Sequence, residues 1–202
     1  ASSEISEAAA DIFSQLDNAD FRYGKIKNDA GCDEELTHGN FNRFLMSQKR
    51  EVRKEAFDRY YSVYENHKHA LATAYSSNCK KDNFYAKIRK FESCMSGALF
   101  SDNVGEKVYD SLLESVKANI APLSKYMEFR RKHLKLDELH IYDTYVPLVD
   151  SVKFSMSFEE AVETCVAALA VLGEDYCATL KQGLLGGWVD KYENRGKRSG
   201  AY

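Results

Sequence analysis

Apolar residues recur at helical spacing over most of the 202-residue chain. Ile5, Ala8 or Ala9, Ile12, Phe13 and Leu16 share one face of a first helix, capped by Ser2 or Ser3 and broken at Asn18-Ala-Asp20. Phe21 to Lys27 then alternates apolar and polar, Asn28-Asp-Ala-Gly31 is turn chemistry, and Glu34 to His38 returns as a partner strand. The pattern predicts a small β-hairpin over residues 21–38 and no other β-structure.

Beyond the hairpin the pattern is helical. Asn40 is the expected cap of a short helix containing Phe41, Phe44 and Leu45. From Arg50 a longer helix carries Val52, Ala56, Phe57, Tyr60, Tyr61, Val63, Tyr64, His67, Leu71 and Tyr75, a stripe wide enough to be buried on more than one side. Asp82 is placed as the cap of a further segment with Phe84, Tyr85, Ile88 and Phe91. After a loop around Ser101-Asp-Asn103, a long helix is expected from about Gly105 to Lys135, with a seam of Val108, Leu112, Val116, Ile120, Leu123 and Met127. Pro122 removes a backbone donor inside that run and predicts a kink or boundary near Ile120.

Leu139 to Val149 is rich in aromatic and β-branched residues and too irregular for a helix, so it reads as an extended connector. Ser157 followed by Glu160 is a capping box that opens a helix through Leu172; Gly173 ends it, and a last helix runs from about Glu174 to Lys191. The reading is a mainly α chain in two parts. Residues 1–48 hold the first helix, the hairpin and the short helix, and residues 49–202 hold the long helices.

Lys and Arg number 28 against 31 Asp and Glu, a net charge of −3, which sets up no field to recruit a nucleic acid or an anionic membrane; neither is expected as a partner. The longest apolar run, Cys165 to Leu172, falls far short of the roughly eighteen residues of a spanning helix and reads as a buried helix. Five cysteines without a C-x-x-C pair predict reduced, structural thiols. The chain opens at Ala1 without an initiator Met or leader and closes just after the turn-like run from Gly196 to Ala201, so both ends read as cut.

The histidines are the first place to look for chemistry, and none stands in H-E-x-x-H. His67 and His69 lie two apart, which points them to different helix faces; a half-buried His67 and a solvated His69 are expected rather than a metal pair. Ser199 lacks the glycines of a nucleophile elbow, since they stand three before it and one after. Lys191 stands where a phosphate loop would need glycine. Arg130-Arg-Lys-His133 shares its helix with Glu128 and reads as a solvated face. Tyr60, Tyr61, Tyr64 and Tyr75 read as core, with the wall of a polar channel as the alternative.

Six strings, in order, resemble oligoendopeptidase F, a branch of the M3 zinc metallopeptidases. They are Leu36-Thr-His-Gly-Asn-Phe41, Arg50-Glu-Val-Arg-Lys-Glu-Ala-Phe57, Tyr85-Ala-Lys-Ile-Arg-Lys-Phe91, Ala98-Leu-Phe-Ser-Asp-Asn103, Leu136-Asp-Glu-Leu-His-Ile-Tyr-Asp-Thr-Tyr-Val-Pro-Leu148 and Tyr192-Glu-Asn-Arg-Gly-Lys-Arg-Ser-Gly-Ala-Tyr202. The resemblance implies the helical lobe of an M3-type, thimet oligopeptidase-like ellipsoid, truncated upstream of the zinc-binding helix. In such enzymes the two histidines of H-E-x-x-H and a later glutamate bind zinc, while the glutamate of the motif serves as general base for the bound water that attacks a peptide carbonyl. Those residues are expected beyond Tyr202, so this chain is read as holding neither catalytic residues nor metal ligands. The zinc and the site belong to the remainder of the same polypeptide.

The resemblance further implies a cytoplasmic enzyme that cuts internal bonds of short peptides. Its substrates add as a strand held by main-chain hydrogen bonds. Arg198 and Tyr202 are placed at the cleft or substrate, and Tyr145 in the aromatic connector is a third candidate. The alternative, that Arg198 pairs with a carboxylate and Tyr202 packs, stays open. Around Gly183-Leu-Leu-Gly-Gly-Trp188 the chain departs from the family pattern in its glycine content, which bears on the straightness of the last helix. A second class of function, a non-enzymatic helical interaction module, is compatible with the long amphipathic helices and the missing catalytic set.

Overall fold

In the computed structural model, residues 2–149, 156–192 and 197 are described. Helix α1 (Ser2–Gln15) ends in a single π turn, Leu16–Asp20, before Phe21 leaves in extended backbone. The hairpin follows as β1 (Lys25–Lys27) and β2 (Asp33–Glu35), antiparallel with Ile26 opposite Glu34. Asn28 closes its turn by accepting the amides of Ala30 and Cys32 on Oδ1, and Gly31 supplies the left-handed φ of +79° that the loop requires. The strands are shorter than the alternation predicts, because helix α2 (His38–Leu45) begins where the second strand was expected to continue. Its cap is Thr37, not Asn40: the Thr37 hydroxyl accepts the Asn40 amide while the Asn40 side chain accepts the Thr37 amide.

The long helix expected from Arg50 is two helices, α3 (Arg50–Asn66) and α4 (Lys68–Ile88), broken at His67. Asp82 lies inside α4 and caps nothing. Helix α5 (Cys94–Phe100) opens on a Ser93–Ser96 box instead. The next expected helix also divides, into α6 (Glu106–Ala118) and α7 (Ile120–His133). The boundary falls at Asn119, so that Pro122 occupies the first turn of α7, where a missing N–H costs least.

The core joins these elements. Phe21, Tyr23, Ile26, Leu36, Phe44, Val52 and Ala56 form one buried cluster, with Leu16, Phe41, Tyr60, Val63, Tyr64 and Leu71 packed against it. Tyr60 is sandwiched between Tyr23, at 4.5 Å between ring centres, and Phe41, at 4.0 Å. Two of the four tyrosines read as core are therefore core. Tyr61 and Tyr75 are exposed, as is His67, which was expected half-buried.

The chain divides into two compact units: residues 2–148 with 197 among those described, and residue 149 with 156–192. In the second, the Ser157–Glu160 box opens α8 (Phe158–Ala168), a 3-10 turn spans Ala170–Leu172, and α9 (Glu174–Leu185) follows Gly173. The last helix stops six residues before the expected Lys191. The Trp188 amide bonds back to the Gly183 carbonyl, Gly187 turns the chain at φ +110°, and the indole lies on Gly183.

Candidate functional site

The connector after α7 is irregular, yet side chains from other elements hold it. Apart from a 3-10 turn at Ile141–Asp143 it has no internal backbone ladder, so its carbonyls need donors from elsewhere. Side chains supply them. Arg50 Nη2 donates to the Glu138 carbonyl, Gln48 to that of Pro147, and His133 lies 3.0 Å from that of Leu148. Arg130 grips two at once, Asp143 at 3.1 Å and Val146 at 2.6 Å. Arg130 is thus buried; the solvated face expected of Arg130–His133 is corrected at this residue.

Asp143 is the fixed point of the segment. Its carboxylate is fully buried and receives Arg53 at 2.7 Å and Arg50 at 3.0 Å, with the His140 amide at 3.0 Å. Burial pushes the Asp143 carboxyl up, but the hydrogen bonds from the two guanidinium groups and the amide outweigh it and hold the acid below the ordinary aspartate range. Arg50 and Arg53 are one turn apart on α3, so helical spacing alone aims both at one carboxylate. Tyr142 packs under the clamp, with the Arg50 guanidinium 5.4 Å from its ring and His140 stacked on it.

The clamp determines how Tyr145 is presented. Tyr142, Asp143 and Val146 point inward, while Ile141 and Tyr145 point to solvent, and Tyr145 is 49% exposed. The carbonyls on either side of the Thr144–Tyr145 pair are the two held by Arg130. Of the other candidates, Arg198 and Tyr202 lie outside the described residues, so Tyr145 is the one that can be placed.

A second polar cluster sits within the core. The π turn directs Asp17 inward, where its carboxylate accepts the Tyr64 hydroxyl at 2.7 Å and its carbonyl lies 3.1 Å from His38 Nε2. A carbonyl only accepts, so Nε2 carries a proton, and Nδ1 lies 2.7 Å from the Tyr60 hydroxyl. Tyr23 closes the ring, 3.0 Å from His38 Nε2 and 3.4 Å from the Tyr64 hydroxyl. Burial pushes all three phenols up, keeping them protonated as donors. From sequence, His38 was expected at the end of the second strand and within a resembling string, and nothing local links it to the other members of the cluster, which come from four segments.

Among the described residues no group of three or more His, Cys, Asp or Glu is placed to hold a metal, and no helix is long and apolar enough to cross a membrane. The described side chains offer binding and positioning chemistry, and they do not make a zinc site.

The chain belongs to peptidase family M3, whose family model matches residues 43–202. Among its relatives, oligopeptidase PepF of Bacillus subtilis is 45% identical over 200 residues, covering 99% of this chain and 30% of the relative. The oligoendopeptidase F homolog of Borreliella burgdorferi is 45% identical over 192 residues, covering 95% and 32%. The crystal structure of oligoendopeptidase-F from Enterococcus faecium superimposes with a TM-score of 0.72 at 34% identity, over 91% of this chain and 34% of that one. The chain therefore spans about a third of the length of the relatives it matches.

Proposed function

We propose that this chain is the helical part, upstream of the zinc-binding helix, of a cytoplasmic zinc-dependent oligoendopeptidase that hydrolyses internal bonds of short peptides. The family match over residues 43–202 carries this reading. Residues 49–202 supply helices of the peptidase domain, and residues 1–48 the helix and hairpin that lead into it. Zinc, its ligands and the general base belong to the polypeptide beyond Tyr202, and the chain alone neither binds zinc nor cleaves. Its contribution is to shape the cleft: Tyr145, with Arg198 and Tyr202, faces the peptide.

The test compares the full-length polypeptide with this chain for zinc content and for cleavage of a quenched fluorescent oligopeptide, with a chelator control. A zinc-loaded, chelator-sensitive full-length enzyme and an inert, metal-free chain are expected. Cleavage by the chain alone would refute the placement of the zinc site beyond Tyr202. Inactivity of both would favour a helical interaction module.

A further inference from the structure

Helix α6 buries nothing. All thirteen of its residues are exposed, although the helix is cleanly amphipathic. Its apolar half carries Val108, Tyr109, Leu112, Leu113 and Val116, and its polar half Lys107, Asp110, Ser111, Glu114, Ser115 and Lys117. The apolar seam continues into α7 through Ile120 and Leu123, so that Val108, Leu112, Val116, Ile120 and Leu123 are each between 53% and 62% exposed. Water does not hold such a helix in shape. Isolated helices of this length are marginal, and in folded proteins their stability comes from packing the apolar face.

We infer that the α6–α7 seam is an internal docking surface, covered in the whole protein by apolar helix faces of the same polypeptide that lie outside this chain. Two observations choose that occupant over a second copy. The seam lies inside residues 43–202, the stretch matched by the family model, and the relatives carry about twice as much chain again outside the third that matches. A 34%-identical crystal structure shares the fold over 91% of this chain while extending far beyond it. The seam offers only aliphatic side chains and tyrosine, with its charges on the opposite side, which fits the dry interface of a core rather than a polar ligand. The inference rests on reading the chain as part of a longer peptidase, and it names the surface through which this part joins the rest.

Hydrogen exchange on the wild-type full-length polypeptide tests it without a substitution. Amides of residues 106–123 are expected to exchange about a hundredfold or more slowly than an unstructured peptide, equally at low and high protein concentration. Exchange within about threefold of the unstructured rate overturns the inference, as does protection that grows with concentration, which assigns the seam to a second copy. A paired measurement reads the same face: in the full-length protein Val116→Asp lowers the melting temperature and Glu114→Lys does not, and equal tolerance of the two overturns it. Peptide cleavage by the same wild-type sample keeps the two readings apart. An active enzyme with an unprotected seam sinks the docking surface alone, and an inactive protein with a protected seam sinks only the peptidase.

Discussion

Arg53 and Asp143 stand ninety residues apart in sequence and meet through a 2.7 Å hydrogen bond, the side chains only 4% and 0% exposed. The pair joins α3 to the connector at the point from which Tyr145 projects. Removing one partner of such a pair strands the other charge in the interior.

Asp143→Asn is therefore expected to destabilise the protein by about 3 kcal/mol in urea denaturation, since Arg53 keeps an acceptor but loses its counter-charge. The sign of the pH dependence follows from the lowered pKa of Asp143. The contribution is complete above the ordinary aspartate value of 3.8 and is lost as pH falls through the still lower folded value. The difference between wild type and Asp143→Asn should be constant near neutrality and shrink only in acid; a difference that disappears already at pH 5 or so would contradict this assignment.

Tyr64→Phe deletes the donor to Asp17 and leaves a half-buried carboxylate with one partner fewer. A loss of about 1–2 kcal/mol is expected, and Tyr60→Phe should cost a comparable amount by removing the hydroxyl that His38 Nδ1 bonds. The double variant should cost less than the sum, because the hydroxyls belong to one network, and a double-mutant cycle of denaturation curves measures that coupling.

At Gly183 an added Cβ would come within 2.2 Å of the Trp188 ring. Gly183→Ala is expected to destabilise α9 by about 1–3 kcal/mol, even though alanine is the better helix former. Trp188→Ala in the same chain should recover part of that loss. If Gly183→Ala instead raises the thermal midpoint followed by circular dichroism, the stacking of Trp188 on Gly183 is wrong.

Tyr145 is half exposed, and the carbonyls on either side of the Thr144–Tyr145 pair are held by Arg130 whatever the side chain of Tyr145, so Tyr145→Ala should leave stability within about 0.5 kcal/mol of wild type. In the full-length enzyme it should raise KM about fivefold for oligopeptides, the worth of roughly one hydrogen bond. Unchanged kinetics would remove Tyr145 from the cleft.

What the sequence conveyed and what it withheld divide along physical lines. The α6–α7 boundary was legible because Pro122 acts locally, and the start of α8 because the Ser157–Glu160 box is a local signal. The break at His67 was not, since neither glycine nor proline marks it. Lys90 and Lys135 close α4 and α7 in the left-handed conformation, where the usual signal is glycine. Thr37 and Asn40 are both good capping residues, and only the hydrogen bonds show which one caps and which answers. Asp143 and its arginines were each visible in the resembling strings, but no local rule links residues so far apart. Arg130 looked like one charge in a basic run, and its burial follows from carbonyls that only the folded connector places before it.

The indole on Gly183 also gives the molecule an optical asymmetry. Trp188 is the chain's one tryptophan, and it belongs to the second unit, whereas the stacked rings of Tyr23, Phe41 and Tyr60 belong to the first. Emission from Trp188 reports on the end of α9, and the near-ultraviolet dichroism of the tyrosine stack on the hairpin core. Heating the chain while recording both signals tells whether the two units melt as one cooperative body or in succession.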